Sequence, residues 1–299
     1  MEKRRLGNTD MNVSVLGFGG SEIGYEQASL PSVSQLLNGA LDAGLNVIDT
    51  AECYVTSEEL IGKAIGARRA DYYLFTKCGH ERGWSYPDWR PASLWKSIER
   101  SLKRLKTNHL DLLQLHSCSE AELRKGDAIG FLKRARERGY TRYIGYSGDG
   151  QAALYAVSCG EFDTLQTSIN IADQEALELT LPAARQRNMG VIAKRPLANV
   201  AWGNGDRPPR DGYGYPYWQR LQKLKYDFLR GDLHQSVATA LRFVLSVPGV
   251  HTAIVGTTKP GRFSQNAVAL EAGPLPGELF ESIRGRWREV ARSDWVGQV

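Results

Sequence analysis

The chain has 299 residues, of which 42% are hydrophobic and 24% are charged, and its formal net charge at pH 7 is +5. This composition is typical of a globular protein with a large core. The densest basic segments, 96–106 and 131–140, mix Glu with Lys and Arg and repeat apolar residues at helical spacing. We interpret them as solvated faces of amphipathic helices, and we expect no nucleic-acid partner.

The N-terminal segment and the cysteines bear on the cellular compartment. The first 20 residues lack the apolar core and cleavage site of a signal peptide. No segment approaches the roughly 18 uninterrupted apolar residues of a membrane span. The four cysteines show neither CxxC pairing nor the spacing of zinc ligands. These features predict a cytoplasmic protein with free thiols, no membrane partner and no metal, and they leave the oligomeric state open.

Short apolar runs alternate with longer helical patterns along the chain. Strands are predicted at 13–19, 46–50, 72–77, 110–116, 143–147, 164–170, 190–194 and 251–257. Helices are predicted near 32–44, 57–67, 92–106, 120–138, 150–159, 174–187, 233–246, 260–270 and 277–292. The least regular stretch, 199–218, is rich in Gly, Pro and aromatic residues and is predicted to be a loop.

The alternation of strands and helices predicts the fold class. Parallel strands joined by right-handed helical crossovers are expected from this order, and eight such units that close on themselves form a (β/α)8 TIM barrel. We therefore predict an α/β protein with one domain over residues 1–299. An open doubly wound sheet is the competing fold, but it favours a G-x-G-x-x-G motif after the first strand, where this sequence has GFGGSE.

Ionisable residues end three consecutive predicted strands. Asp49 ends the second strand, Lys77 the third and His116 the fourth, and Tyr54 lies in the loop after the second strand. The carboxyl ends of barrel strands carry the active site. Any one of these residues alone is more often structural, but their occurrence on neighbouring strands favours a shared catalytic site.

The chemistry expected of these four side chains is proton transfer to a carbonyl oxygen. A tyrosine with a pKa near ~10 is a poor acid at neutral pH, and a nearby lysine cation is expected to lower that pKa. Asp49 would keep Lys77 charged, and a neutral His116 would orient the carbonyl by a hydrogen bond. Because none of these side chains can supply a hydride, carbonyl reduction requires a bound cofactor.

The segment after the eighth predicted strand has the character of a phosphate-binding loop. Residues 255–266, VGTTKPGRFSQN, combine Gly, Thr, Lys and Arg just where a helix is predicted to begin. A helix N-terminus with basic neighbours suits a pyrophosphate or a phosphorylated ribose. A helix start with solvated surface charges is the structural alternative.

These motifs are similar to those of the aldo-keto reductase family, and the similarity covers nearly the whole chain. The segment 46–65, NVIDTAECYVTSEELIGKAI, resembles that family's motif with a catalytic Asp and Tyr. The segments LFTKCG and LDLLQLH resemble those that carry its Lys and His. The resemblance implies that Asp49, Tyr54, Lys77 and His116 are catalytic. It further implies NADPH-dependent reduction of an aldehyde or ketone, or the reverse oxidation.

The resemblance also implies a set of cofactor-binding residues. Ser147 and Gln166 match residues that hold the nicotinamide carboxamide, but Gly148 stands where the family usually has Asn. Arg195 lies where the family commonly stacks an aromatic ring on the nicotinamide, and a planar guanidinium can stack as well. The implied set is Gly20, Ser147, Gln166, Arg195, Pro196, Leu197, Gly256, Thr257, Thr258, Lys259, Arg262, Gln265 and Asn266.

The same set bears on the choice between NADPH and NADH. Arg262 matches the family position that contacts the 2′-phosphate. The family's Lys is replaced by Gly256, and Lys259 is expected to compensate for it. The resemblance therefore favours NADPH over NADH.

Two aromatic loops, 79–91 and 199–218, are expected to shape the pocket for a small-molecule carbonyl substrate. The candidate wall residues are Trp84, Trp89, Trp202 and Tyr215. Cys53, Cys78 and Cys118 are expected near the same mouth. Lys77 could lower the pKa of a neighbouring thiol and make it sensitive to oxidation, or these residues could simply be small enough for tight loops.

Two other functions fit the sequence. A Schiff-base lyase would use Lys77 or Lys194 as its nucleophile, although it would leave Tyr54 without a purpose. An NADPH-binding redox-sensing subunit with slow turnover would carry the same catalytic residues.

Overall fold

The computed structural model describes residues 1–210 and 212–298, and in this part of the chain eight parallel strands form a closed barrel. A hairpin of β1 (Lys3–Arg5) and β2 (Asn12–Ser14) precedes the barrel. The barrel strands are β3 (Leu16–Gly19), β4 (Val47–Asp49), β5 (Tyr73–Cys78), β6 (Leu110–His116), β7 (Thr141–Ser147), β8 (Thr164–Ser168), β9 (Gly190–Lys194) and β10 (Thr252–Gly256). Because β10 pairs in parallel with β3, the sheet has no open edge. The predicted TIM barrel is confirmed.

Helices connect the strands and cover the outside of the barrel. They are α1 (Ser21–Tyr25), α2 (Leu30–Asp42), α3 (Ser57–Ile65), α4 (Pro91–Leu105), α5 (Glu120–Lys125), α6 (Asp127–Glu137), α7 (Gly150–Cys159), α8 (Glu175–Leu179), α9 (Leu181–Gln186), α10 (Tyr215–Leu224), α11 (Leu233–Ser246), α12 (Arg262–Leu270) and α13 (Gly277–Val290). Short 3₁₀ helices lie at Gly66–Asp71, Ala198–Asn204 and Asp227–Arg230. Within the described ranges, no helix is long and apolar enough to cross a membrane.

Two predicted helices are each divided in the structure. The pattern at 120–138 forms α5 and α6, which meet at Gly126 with a φ of 83°. Glycine enters this left-handed region without steric cost and commonly ends a helix there. The pattern at 174–187 forms α8 and α9, and Pro182 lies in the first turn of α9. A proline has no N–H to donate to the carbonyl four residues earlier, so the helix restarts at this point.

The N-terminal hairpin was not predicted. The pattern at 13–19 contains both the end of the hairpin, β2, and the first barrel strand, β3. Leu6, Met11 and Val13 of the hairpin are fully buried in a cluster with residues that point into the barrel from β4, β5, β6, β9 and β10. The hairpin therefore closes the amino-terminal end of the barrel. The opposite end, which we call the rim, consists of the carboxyl ends of β3–β10 and the loops that follow them.

Candidate active site

A buried ion pair joins the ends of two neighbouring strands at the rim. The Nζ atom of Lys77 lies 2.5 Å from Oδ2 of Asp49 and donates to the carbonyl oxygen of Thr50 at 2.8 Å. The other oxygen of Asp49 accepts hydrogen bonds from Nε2 of Gln166 at 2.8 Å and of Gln114 at 3.3 Å. Both charged side chains are at most 2% exposed. A buried pair of this kind is stable only when its remaining hydrogen-bonding capacity is also used, and these contacts use it.

Tyr54 and His116 lie beside this ion pair. The Nζ atom of Lys77 is 5.1 Å from the centre of the Tyr54 ring. The rings of Tyr54 and His116 are 5.7 Å apart and nearly perpendicular. Tyr25, which sequence reasoning missed, stands on the other side with its ring 5.8 Å from that of Tyr54. The four predicted catalytic side chains therefore meet at one place on the rim.

The protonation states at this place differ in part from those predicted. Burial, and then the negative charge of Asp49, raise the pKa of Tyr54 well above its usual range. The predicted lowering of this pKa was wrong, because burial and the charge of Asp49, which is paired with the Lys77 ammonium, together favour the neutral phenol. Tyr54 therefore holds its proton firmly. Burial, followed by the charges of Lys77 and His80, lowers the pKa of His116 well below its usual range, which confirms a neutral imidazole.

A second histidine supports the rim from the loop after β5. Nε2 of His80 lies 2.7 Å from the carbonyl oxygen of His116, and its ring stacks on Trp84 at 4.5 Å. Trp84 in turn meets the His116 ring edge-on at 4.9 Å. Sequence reasoning missed His80, whose position three residues after Lys77 gave no signal of its own.

Glu52 anchors the same loop and was also missed. Its Oε1 accepts hydrogen bonds from the backbone N–H groups of Gly79 and His80 at 2.8 and 3.0 Å. Its Oε2 binds the hydroxyl of Ser97 and Nη2 of Arg100. The carboxylate therefore ties the loop after β5 to the loop after β4, which carries Tyr54.

The residues expected to hold a nicotinamide carboxamide lie next to Asp49. The Oγ of Ser147 donates to Oε1 of Gln166 at 3.0 Å, and both side chains are buried. A Cβ atom at Gly148 would lie 2.5 Å from the hydroxyl of Tyr146. The Tyr146 ring thus fills the space that the family's Asn would need, which accounts for the glycine.

Arg195 follows β9 in a left-handed conformation with a φ of 53°. Its Nε donates to the hydroxyl of Tyr213 at 2.5 Å, and its Nη1 donates to Oγ of Ser168 at 2.9 Å and to the carbonyl oxygen of Gln298 at 2.6 Å. The guanidinium thus joins the 199–218 segment to the C-terminal residues. Pro196 and Leu197 behind it are buried.

Two charged residues next to Arg195 were not predicted as a pair. The Nζ of Lys194 lies 2.7 Å from Oδ2 of Asp149. Burial lowers the pKa of Lys194 to about 8, and the charge of Asp149 opposes this shift. The interactions of Lys194 with Asp149 and of Arg195 with Gln298 place both cations at the ends of β7–β9, where the resemblance puts the nicotinamide.

The segment from Gly256 to Asn266 fits a phosphate-bearing group. Helix α12 begins at Arg262 after Gly261, and no side chain of residues 1–210 or 212–298 caps its N-terminus. Lys259 is exposed, and neither it nor Arg262 forms an ion pair within the described residues. A groove of about 500 Å³ between α11 and α12 is lined in part by Arg262, Gln265 and Asn266. An uncapped helix start with two cations that lack an acidic partner among the described residues suits an anion.

Two carboxylates lie against the same segment. An oxygen of Glu22 is 1.7 Å from where a Cβ atom of residue 256 would be, so the position of Gly256 cannot hold a lysine while Glu22 keeps this place. The Oγ1 of Thr258 donates to Oε2 of Glu26 at 2.8 Å. Gly20 lies just before α1, the helix that carries Glu22. Its N–H donates to the carbonyl oxygen of Asp49 at 2.8 Å and so joins the start of α1 to the end of β4.

The four candidate wall residues of the substrate pocket have different positions. Trp84 contacts His116, as described above. Trp89 packs on the backbone of Gly79 and meets His80 edge-on at 5.7 Å. Trp202 packs on the hydrophobic core, and Tyr215 stacks on Trp218 and contacts Gln219 within its own helix. The structure therefore brings one of the four against a predicted catalytic residue.

Of the two explanations for the cysteines, the structure favours small residues in tight loops over thiols sensitive to oxidation. Cys53 lies with its Sγ 3.6 Å from Nδ1 of His116, but burial raises its pKa to about 12. Cys78 and Cys118 are buried, and burial also raises their pKa values. Lys77 does act to lower the pKa of the Cys53 thiol, as expected, but desolvation of the thiolate outweighs the attraction of the cation, so the net shift is upward. In the described part of the chain, no three His, Cys, Asp or Glu residues are grouped as a metal site.

Comparison with known proteins gives one consistent result. The sequence model described as the Aldo/keto reductase family matches residues 15–288. The oxidoreductase YqkF of Bacillus subtilis is 27% identical over 97% of both chains. The L-galactose dehydrogenase of Arabidopsis thaliana is 27% identical over 100% of this chain and 98% of its own. The holo form of the aldo-keto reductase AKR11C1 from Bacillus halodurans superposes with a TM-score of 0.84 at 26% identity, over 98% of this chain and 99% of its own.

Proposed function

Since this chain belongs to the aldo/keto reductase family and is therefore an oxidoreductase, we propose that it interconverts an aldehyde or ketone and the corresponding alcohol. The substrate is a small-molecule carbonyl compound. A nicotinamide cofactor, when bound, supplies or accepts the hydride that no side chain can carry. The observation that carries this proposal is the convergence of Asp49, Lys77, Tyr54 and His116 at one place on the rim.

The chain's own residues account for the movement of the proton. Tyr54 donates its phenolic proton to the carbonyl oxygen during reduction and takes it back during oxidation. Because its pKa is raised, the proton remains on the phenol until charge develops on the substrate oxygen. Neutral His116 orients that oxygen by a hydrogen bond. The ion pair of Lys77 and Asp49 lies beside the phenol ring. The lysine cation stabilises the phenolate once the proton has left.

The cofactor residues form two groups in this proposal. Ser147 and Gln166 hold the nicotinamide end, with Arg195, Pro196 and Leu197 beside it. The segment from Gly256 to Asn266 holds the phosphates, with Arg262 and Lys259 as cations for a 2′-phosphate, and this supports NADPH over NADH. The carboxylates of Glu22 and Glu26 lie against the same segment, and their negative charge acts against the binding of a 2′-phosphate. Dissociation constants for NADPH and NADH, with and without Arg262→Ala, test the preference: the substitution should weaken NADPH binding and leave NADH binding nearly unchanged.

The decisive variant for the function is Tyr54→Phe. It removes the proton donor and retains the ring, so turnover should fall by at least ~100-fold, as expected for loss of a general acid, while cofactor affinity changes little. The measurement follows the nicotinamide absorbance with a panel of aldehydes, ketones, sugars and quinones. Tyr86→Phe, in an exposed part of the 79–90 loop, is a matched control that should retain activity. Full activity of Tyr54→Phe would contradict the assignment.

The same measurements separate the two alternatives. A redox-sensing subunit should bind the cofactor and show almost no turnover on any member of the panel. A Schiff-base lyase should form a covalent adduct at Lys77 or Lys194 when a carbonyl substrate is treated with borohydride. The bonding of Lys77 to Asp49 and Thr50 argues against that role, because a nucleophilic amine needs a free lone pair.

The proposal also covers the domain organisation, location and partners of the protein. We propose that the protein acts as one domain over residues 1–299, in the cytoplasm, without a nucleic-acid or membrane partner and without a metal. Cell fractionation with an antibody against the chain tests the location, and limited proteolysis tests whether the chain behaves as one unit.

A further inference from the structure

His80 is held between two acceptors. Its Nε2 lies 2.7 Å from the carbonyl oxygen of His116, and its Nδ1 lies 3.0 Å from the carbonyl oxygen of Trp84. A carbonyl oxygen can only accept, so each ring nitrogen must carry a proton to form its bond. A neutral imidazole has one N–H and would point a lone pair at the other carbonyl. The doubly protonated ring satisfies both contacts.

The surroundings of His80 suit a cation. The ring lies flat against Trp84, with 4.5 Å between the ring centres and an angle of 10° between their planes, and the face of an indole attracts a cation. The backbone N–H of His80 donates to the carboxylate of Glu52 at 3.0 Å, which brings a negative charge to the same residue. His80 is only 4% exposed, so water does not compete for either of its ring contacts.

Charged and titratable groups surround His80 on several segments. They are Glu52, Cys53 and Tyr54 after β4, Lys77 and Cys78 on β5, Glu81, Arg82, Tyr86, Asp88 and Arg90 on its own loop, Arg100 of α4, which binds Glu52, and His116 and Cys118 at the end of β6. The pKa of His116 lies well below its usual range, and those of Cys53 and Cys118 lie at about 12.

We propose that doubly protonated His80 is a positioning residue. It fastens the loop between β5 and α4, residues 79–90, to the backbone of His116 and so holds Trp84 against the His116 ring. This inference rests on the proposed function for its effect on catalysis. The fastening itself depends only on the contacts of His80, Trp84 and His116.

Loss of one proton from His80 should loosen the loop. One of the two ring contacts becomes a repulsion between a lone pair and a carbonyl oxygen. Glu52 still holds the beginning of the loop through Gly79, but residues 81–87 are mostly exposed and depend on the contacts of His80 and Trp84. Trp84 then leaves the edge of His116, and the substrate pocket loses a wall. The Michaelis constant for the carbonyl substrate should therefore rise with pH more than the turnover number falls.

The direct test is the protonation of His80 in the intact protein. The chain has five histidines, so selective ¹⁵N labelling of histidine gives a spectrum simple enough to assign with His80→Gln. We expect both ring nitrogens of His80 to carry protons at pH 6. Amide hydrogen exchange across residues 80–88 should accelerate about five-fold between pH 6 and pH 8.5 relative to His80→Gln, the size of one hydrogen bond. His109→Gln, at the opposite end of the barrel, is the control and should behave as the unmodified protein.

The outcomes are distinct. If one ring nitrogen of His80 is unprotonated at pH 6, or if loop exchange relative to His80→Gln does not depend on pH, the proposal is overturned. If His80→Gln does not fold, the ¹⁵N spectrum of the unmodified protein still decides. With an active substrate, His80→Gln should show a raised and pH-independent Michaelis constant and a nearly unchanged turnover number. Because neither the spectrum nor the exchange rate requires turnover, absence of carbonyl reduction would refute the proposed function without affecting the fastening.

Discussion

Asp173, in the segment between β8 and α8, is a buried acid that shows how the interior of this protein sets the state of a single residue. Burial, and then the charge of Asp149, raise its pKa to about 8. The hydroxyl of Tyr217 donates to its Oδ2 at 3.2 Å, and Arg220 approaches the same oxygen at 3.6 Å. Its Oδ1 has no partner within the described residues. The group is therefore protonated in the folded protein at neutral pH.

This shift predicts a dependence of stability on pH. The folded pKa of Asp173 is about 8, and an unfolded aspartate has a pKa near ~3.9, so the folded state binds the proton more tightly. Its contribution to stability is complete below about pH 4 and is lost as the pH rises towards 8, with a slope of up to about 1.4 kcal/mol per pH unit. Asp173→Asn should flatten this part of the stability profile, measured by urea unfolding from pH 4 to 8. Asp206→Asn, in an exposed loop, should leave the profile unchanged, and a parallel profile for Asp173→Asn would contradict the shift.

The convergence of single side chains could be predicted where their place at the end of a strand determines where they lie in the fold. Asp49, Lys77 and His116 end neighbouring strands, and the barrel alone brings such ends together. The protonation states were less predictable, because burial and pairing reversed the expected shifts at Tyr54 and Cys53. His80, Glu52 and Tyr25 act through contacts between segments that are distant in the sequence, and such contacts leave no periodicity or spacing in it.

Among the structural elements, the C-terminal segment 293–298, which we call the tail, had no sequence signal. It follows α13 and reaches the rim near β7–β9. Arg220 donates to the carbonyl oxygen of Val296 at 2.7 Å, and the N–H of Gly297 donates to Glu175 at 2.8 Å. Arg195 donates to the carbonyl oxygen of Gln298. These bonds go to the backbone of the tail, so they place few demands on its side chains, and pattern reasoning cannot detect them.

The tail has one position that requires a glycine. A Cβ atom at residue 297 would lie 2.4 Å from Cβ of Asp149. Asp149 cannot give way, because its carboxylate binds Thr167, the backbone of Ser168, and Lys194. Gly297→Ala should therefore displace the tail, lower the melting temperature and raise amide exchange across residues 293–298.

A second glycine provides the matched control. Gly285 is exposed in the middle of α13, and a Cβ atom there would meet no atom of the described residues within 4 Å. Gly285→Ala should increase stability by about 0.5–1 kcal/mol, because glycine loses more backbone entropy in a helix than alanine. Equal melting temperatures and equal tail exchange for the two variants would show that the tail does not pack as the structure describes.

At the scale of the whole molecule, the two ends of the barrel differ in role: the rim carries the candidate active site, and the amino-terminal end carries apolar packing. The rim carries the four predicted catalytic side chains, and the amino-terminal end is closed by apolar side chains of the hairpin and the strands. The order of strands and helices was sufficient to predict the barrel, because eight alternating units have few ways to bury their apolar faces. The hairpin was not predicted, because each of its strands has three residues and the first is largely charged.

This division predicts that the amino-terminal end contributes stability without affecting the reaction. Leu6 is fully buried among Val47, Phe75, Leu112 and other residues that point into the barrel. Leu6→Ala should lower the free energy of unfolding by about 2–5 kcal/mol, because it removes packed methyl groups and leaves a cavity. Leu233→Ala, at a position that is 46% exposed, is the control and should have little effect. At a temperature where both variants are folded, kcat and KM should equal those of the unmodified protein. A change in KM for Leu6→Ala without loss of stability would mean that the hairpin reaches the rim through the barrel and that the two ends are coupled.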